Sequence, residues 1–168
     1  MSEMPEFILD RQFDAPREMV WRAWTDPNIL PRWYGPGADT IIHRFDLEPE
    51  GLWLGEMRWG DNAHYSKVTF KEVTPPERLV WHHANTDADW NIISSPMMEH
   101  WPRVLLTTVT FEELGEKTNV RLSWVPLDAT VEEIECFKAA IAGGDMGWEH
   151  GYKVIDEILA EMRAAELG

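Results

Sequence analysis

Between residues 148 and 162 the apolar side chains fall at Trp148, Tyr152, Ile155, Leu159 and Met162, a spacing that forms one stripe down an α-helix. Glu149, Lys153, Glu157 and Glu161 occupy the other side, which predicts a solvent face. Asp145, behind the breaker Gly143-Gly144, is suited to cap the start, and the helix is expected to run to Glu166 before Gly168 ends the chain. Such a helix is about 33 Å long. It cannot bury its stripe alone, so the preceding residues must supply a concave, mostly β surface. Gly147 and Gly151 each disfavour helix by about 1 kcal/mol relative to alanine. Their presence points to tight helix-on-sheet packing or to a ligand coming close.

Earlier in the chain the periodicity is shorter. Phe7 to Phe13 alternates as a first strand. Pro16 then opens a helix with Val20, Trp21 and Trp24 on one face, and Asp26-Pro27 restarts a second short helix through Trp33. Tyr34-Gly35-Pro36-Gly37 breaks it. From Thr40 the period drops to two and predicts six more strands: Thr40–Leu47, Leu52–Trp59, Tyr65–Val73, Arg78–Ala84, Val104–Glu113 and Val120–Val125. Pro49-Glu50-Gly51, Gly60-Asp61-Asn62, Pro75-Pro76 and Leu114-Gly115-Glu116 supply turns. The connections are short, so an antiparallel meander is the economical arrangement. The long Asn85–Pro102 segment is the exception. Its Trp90, Ile92, Ile93, Met97 and Met98 suggest a flap over the interior. Thr130–Ala142 reads as a short amphipathic helix leading into the long one. The expected fold is therefore α+β, a curved sheet of about seven antiparallel strands gripping a C-terminal helix, in one domain with its core over residues 7–165.

The 15 basic against 30 acidic residues give a net charge of −15, which excludes nucleic acid and anionic membranes as natural partners. Cys136 is the only cysteine, so no intramolecular disulfide forms. No leader pattern or membrane-length apolar run is present, and a cytoplasmic location is expected. The 10 Trp and 8 Met can fill a core or line a cavity for an apolar guest.

Several stretches together resemble one known family. Phe13-Asp14-Ala15-Pro16-Arg17-Glu18, followed by Val20-Trp21, Ala23-Trp24-Thr25-Asp26-Pro27, is similar to the entry of the SRPBCC (START-like, helix-grip) superfamily. The similarity is greatest to the branch related to the C-terminal domain of the activator of the Hsp90 ATPase. Arg32-Trp33-Tyr34-Gly35-Pro36 resembles that branch's Arg-Trp-Trp-Gly-Pro, with tyrosine in place of the second tryptophan. Asp46-Leu47, Pro49, Gly51 and Trp53 follow, with Glu50 where the family usually has glycine. Pro75 to Trp81, Thr107 to Glu113, Lys117-Thr118, Val120 and Gly147-Trp148 complete a resemblance spanning Phe7 to Leu159. It implies a helix-grip fold with a deep cavity and, for most members, small-molecule binding. The co-chaperone members carry a separate N-terminal domain. Only six residues precede the first strand here, so no chaperone partner is expected.

Candidate chemistry in the chain is sparse. His82-His83 with Asp87, Asp89, Glu99 and His100 invites a metal reading, but adjacent strand histidines point to opposite faces. No metal and no cofactor are therefore expected. No GxSxG, phosphate loop or dinucleotide fingerprint occurs, so no catalytic residues are assigned. What remains is the apolar lining. Trp53, Met57 and Trp59 share a strand face, with Gly55 leaving room between them. Trp148 and Tyr152 stand opposite on the long helix. The resemblance places Trp33 and Tyr34 at the cavity mouth, and Trp101 lies in the long loop. Arg58, His64, Tyr65 and His83 are the candidates for a polar group inside. The leading expectation is a protein that binds a small, largely apolar molecule. An SRPBCC-type enzyme (cyclase- or dehydratase-like) and an Hsp90-type co-chaperone are the alternatives, and a homodimer is left open.

Overall fold

In a computed structural model the described residues are 4–34, 38–95, 98–144 and 148–167. The expected break at Gly35-Pro36-Gly37, the Asp145 cap, Gly147, Met97 and the terminal Gly168 lie outside them. The elements run β1 (Phe7–Phe13), α1 (Arg17–Thr25), α2 (Leu30–Trp33), β2 (Asp39–Phe45), β3 (Leu52–Trp59), β4 (Asn62–Thr74), β5 (Arg78–Thr86), β6 (Val104–Leu114), β7 (Lys117–Leu127), α3 (Val131–Ile141) and α4 (Trp148–Leu167). β1 and β3 end where the alternation predicts. β4, β5 and β7 run further, because ladder hydrogen bonds continue past the last clearly alternating residue. Asp26-Pro27 gives only a turn, and the second helix shrinks to the four residues Leu30–Trp33.

One sheet contains all seven strands in the order β1-β7-β6-β5-β4-β3-β2, each pair antiparallel. β2 to β7 are a meander. The chain crosses from β1 to the far edge through α1 and α2, which places those helices and α4 on the same side of the sheet. The register identifies that face: Phe45, Trp53, Val68, Phe70, Trp81, Thr107, Val109, Leu122 and Phe13 point inward, and the side chains between them point out. These helix-grip features make the fold α+β, as the pattern predicts.

α4 lays Tyr152, Ile155, Ile158 and Leu159 into the core, with Trp148 and Met162 half-buried at its ends. Its backbone comes closer to α1 and α2 than to any strand, so a layer of side chains separates helix from sheet. Arg11 on β1 fastens it. The guanidinium donates to Asp156 through Nη1 and Nη2, both at 2.7 Å, and Nη2 also donates to Glu149 at 3.0 Å. Glu149, expected in water, is thus engaged. A capping box at Thr130 and Glu133 starts α3.

The turn before β3 explains one departure from the resembling family. Glu50 has φ +67°, a left-handed conformation that glycine adopts without strain. Its carboxylate is tied to Lys71 at 3.1 Å. A Cβ on the neighbouring Gly51 would lie 2.1 Å from the Asp46 carbonyl oxygen, so the backbone approach there requires glycine.

The difference between fully and partly buried positions on α4 has a measurable consequence. Leu159→Ala should destabilise by about 2–5 kcal/mol, the usual cost of a large-to-small change in packed core. Trp148→Ala should cost no more, although it removes a larger side chain. Urea denaturation of both variants, fitted with a common m-value, checks the order.

Candidate functional site

Antiparallel register brings one end of the molecule together. The β3–β4 hairpin at Gly60-Asp61, the connection from β5 to β6, the end of β7 and the start of α4 all lie there. The inward residues approaching this end are mostly aromatic. Trp24 on α1 is the hub. Its ring stacks on Trp148 at 5.9 Å and 17°, and meets Trp33 at 4.7 Å, Tyr152 at 6.1 Å and Trp81 at 6.4 Å. Tyr34 extends the cluster to Trp53 at 5.0 Å and Trp148 at 6.0 Å. Trp148 reaches Trp124 at 5.7 Å, and Trp124 reaches Trp101 at 6.3 Å. Edge-to-face and offset pairs of this kind stabilise by about 0.5–1.5 kcal/mol each beyond burial.

Of the residues singled out in the sequence, Trp33, Tyr34, Trp53, Trp148 and Tyr152 join this cluster, and Trp101 joins it through Trp124. His83 is inward on β5, between Val68 on β4 and Leu105 on β6. Met57 is inward and half-buried, opposite Thr40 and His64. Two others lie elsewhere. Tyr65 pairs with Glu56, has the opposite parity to Val68, and therefore stands on the outer face, where it meets Trp90 at 5.6 Å. Trp59 has inward parity but lies at the hairpin end, 38 % exposed, against His64 at 4.9 Å. Arg58, a candidate polar group, is also outward and donates to Glu56.

The long connection is anchored on both faces. Trp90, at φ +68°, packs outside against Tyr65 and His43, Ile92 bridges to Thr86, and Trp101 packs against Phe137 at 5.4 Å. Glu56 is covered by this layer and accepts from His43 Nε2 at 2.8 Å as well as from Arg58. Those two donors, Arg58 foremost, hold its carboxyl below the usual glutamate range. Thr86, the outward register partner of Tyr65, is buried in the same layer, and its Oγ1 has no hydrogen-bond partner among the described residues.

The inner wall is chemically different. Tyr34 and His83 are residues of intermediate exposure on this wall. Burial pushes the Tyr34 hydroxyl up to about 12 and the His83 imidazole down to about 4, so both stay neutral through the physiological range. Three further groups are buried without a hydrogen-bond partner among the described residues: Trp24 Nε1, Thr107 Oγ1 and Tyr152 OH. Periodicity did not single out Trp24 or Thr107 as interior polar groups. Thr107 reads as an ordinary β-former, and its place beside Trp81 and Trp124 follows only from the pairing. His82 faces the other side from His83, and no group of three or more His, Cys, Asp or Glu is placed to hold a metal among the described residues. A cleft between β1 and α4 is lined by Arg11, Gln12, Asp14, Asp156, Leu159, Ala160 and Arg163, with Arg11 paired to Asp156 and Arg163 to Asp14 across it. No helix is long and apolar enough to cross a membrane among the described residues.

Comparison with solved structures finds the same fold in proteins of low sequence identity. A protein from Arthrobacter aurescens, solved by solution NMR, is 23 % identical, with a TM-score of 0.76 over 93 % of this chain and 86 % of its own. One from Staphylococcus epidermidis is 17 % identical, with a TM-score of 0.75 over 96 % and 93 %. Protein Ms6760 from Mycobacterium smegmatis is 21 % identical, with a TM-score of 0.73 over 92 % and 90 %. A search of curated proteins finds no match. The family model described as activator of Hsp90 ATPase homolog 1-like protein matches residues 14–160.

The His83 shift gives a pH prediction. Its folded pKa lies below the unfolded value near 6.5, so the unfolded chain binds the extra proton first. The resulting stability is fully present above pH 6.5 and is lost as pH falls toward 4. His82 is lowered as well, by its own burial. Denaturation midpoints of the wild type should therefore fall between pH 6.5 and 4, and His83→Gln should flatten that slope. NMR of the His83 ring should show it neutral at pH 5.

Proposed function

The chain belongs to the activator of Hsp90 ATPase homolog 1-like family, and from that premise we propose that it binds a small, largely apolar molecule between the sheet and α4. One observation carries the reading. Tyr34 and His83, which face the inner wall, are strongly desolvated although each residue is only partly covered. Groups in packed core lose both solvation and surface. Groups lining a hollow lose the first and keep part of the second. Trp124 and Trp148, half-buried although ringed by other aromatics, behave in the same way. A wall of indole and phenol rings with a few neutral polar groups suits an apolar guest with limited polarity.

The family's description names an Hsp90 activator, and such a role calls for a docking surface. The exposed large apolar side chains among the described residues are Met4, Ile8, Ile41, Trp59, Ile92, Met98, Leu114 and Val131, and none belongs to the aromatic cluster around Trp24, from which the interior reading starts.

Native mass spectrometry of the purified protein tests the proposal. Protein taken directly from cells should carry a co-purifying adduct of small-molecule mass that an organic-solvent wash removes. The washed protein should then bind a neutral naphthalene dye saturably at one site. An adduct-free protein that binds no such dye would refute the reading.

A further inference from the structure

The inner face of the sheet is covered unevenly. Phe70 and Trp81 are buried, whereas Met57, Ser66, His83 and Asn85, inward and nearer the β3–β4 hairpin, are all partly exposed. Register joins these four into one patch across three strands. Met57 lies two residues from Gly55, Gly55 pairs with Ser66, and Ser66 pairs with Asn85, two residues from His83. Their charged neighbours Glu56, Arg58 and Lys67 have the opposite parity and stand outside.

Gly55 is the centre of the patch. Glycine weakens a strand interior and is usually found there where a bulge, another backbone or a ligand requires it. Gly51 is such a case, since its backbone approach leaves no room for a Cβ. Gly55 is not. A methyl group added to it would make ordinary contact with Trp53 Nε1 at 3.4 Å and Ser66 Oγ at 3.5 Å, and no other described residue beyond its chain neighbours comes within 4 Å. Room for a side chain is therefore left on the inner face, and both atoms bordering it are polar. Trp53 is only 5 % exposed, yet its indole N–H is aimed at this room, and neither it nor the Ser66 hydroxyl has a hydrogen-bond partner among the described residues.

The chemistry of this border restricts what suits it. An indole N–H only donates, while the Ser66 hydroxyl and the Asn85 amide both donate and accept. A guest hydroxyl answers both kinds of group, because its oxygen accepts from Trp53 and its hydrogen goes to Ser66. An ether or ketone oxygen answers only the donors. An anion would shed its water without a cation to meet it, since no Asp, Glu, Lys or Arg has inward parity over Trp53–Trp59 or over residues 62–70 and 81–85, and burial keeps His83 neutral. The aromatic cluster adjoins the patch: Trp53 meets Tyr34 at 5.0 Å, and Tyr34 meets Trp148 at 6.0 Å.

Resting on the small-molecule reading above, we propose that the guest is a neutral hydroxyl compound whose O–H occupies the room at Gly55, accepting from Trp53 Nε1–H and donating to Ser66 Oγ. Gly55, Trp53 and Ser66 then determine specificity, and the rings of Tyr34 and Trp148 hold the apolar body of the guest.

Three matched probes test this by calorimetric titration of the solvent-washed protein: 2-naphthol, 2-methoxynaphthalene, which only accepts, and 2-methylnaphthalene, which does neither. The Kd of 2-naphthol should lie about tenfold or more below that of 2-methylnaphthalene, with the methoxy probe weaker than the naphthol. Ser66→Ala should weaken 2-naphthol roughly three- to tenfold, the range for one neutral hydrogen bond, and leave 2-methylnaphthalene within about twofold. Gly55→Ala fills the room. It should weaken 2-naphthol about tenfold or more while the thermal midpoint stays the same or rises, because alanine loses less chain entropy and meets no clash. A glycine serving the fold predicts the opposite, a lower midpoint with 2-naphthol binding unchanged. Either of those two results overturns the proposal, as does equal loss of both probes in Ser66→Ala. Binding of 2-methylnaphthalene as tight as that of 2-naphthol overturns it too and leaves the small-molecule reading standing. Failure of all three probes to bind overturns both.

Discussion

The structure depends on a mismatch of widths. Seven hydrogen-bonded strands spaced about 4.8 Å apart make a sheet about 29 Å across, whereas one helix with its side chains is about 10–12 Å wide. α4 alone cannot fill the concave face, and α1 and α2 cover only part of the rest. The gap is bridged by large rings rather than by more backbone, with Trp24, Trp33, Trp81, Trp148 and Tyr152 linking helices to strands. Toward Ile155, Ile158 and Leu159 the side chains of α4 are buried, with the Arg11 clamp at the rim of a cleft. Toward Tyr34, His83 and Trp148 burial remains partial.

Much of this architecture was legible in the chain because periodicity and position coincide. The period-four-and-three stripe on α4 lands on Tyr152, Ile155 and Leu159, and the period-two runs locate every strand. The Glu50 position, where the resembling family has glycine, turns out to be the left-handed residue of its turn. Side-chain facing was less legible, since it depends on pairing and on local irregularity. Tyr65 reads as a neighbour of the inner wall, but parity counted from Val68 puts it outside. Trp59 has the expected parity and yet lies beyond the covered part of the sheet. Thr107 and Trp24 are invisible as polar interior groups, because a threonine in a strand and a tryptophan on a helix face are ordinary choices. Only tertiary structure shows that their donors meet nothing.

Both faces of the sheet carry covered polar groups. Outside, Glu56 is covered by neighbours that complete its hydrogen bonds, and Trp90 closes over His43 and Tyr65. Inside, Arg11 is held by Asp156 and Glu149 and Trp33 Nε1 donates to the Ala23 carbonyl, whereas Trp24 Nε1, Thr107 Oγ1 and Tyr152 OH have no partner among the described residues.

Chemical-shift mapping gives the most direct test of where a guest resides. With uniform 15N and methyl labelling, titration of 2-naphthol should move the indole N–H of Trp53 and Trp148 and the Met57 methyl. Intermolecular NOEs to that methyl should appear, while Trp90 and the Ile8 methyls stay fixed. Shifts confined to the outer-face residues, or a Met57 methyl unmoved at saturation, would contradict the account.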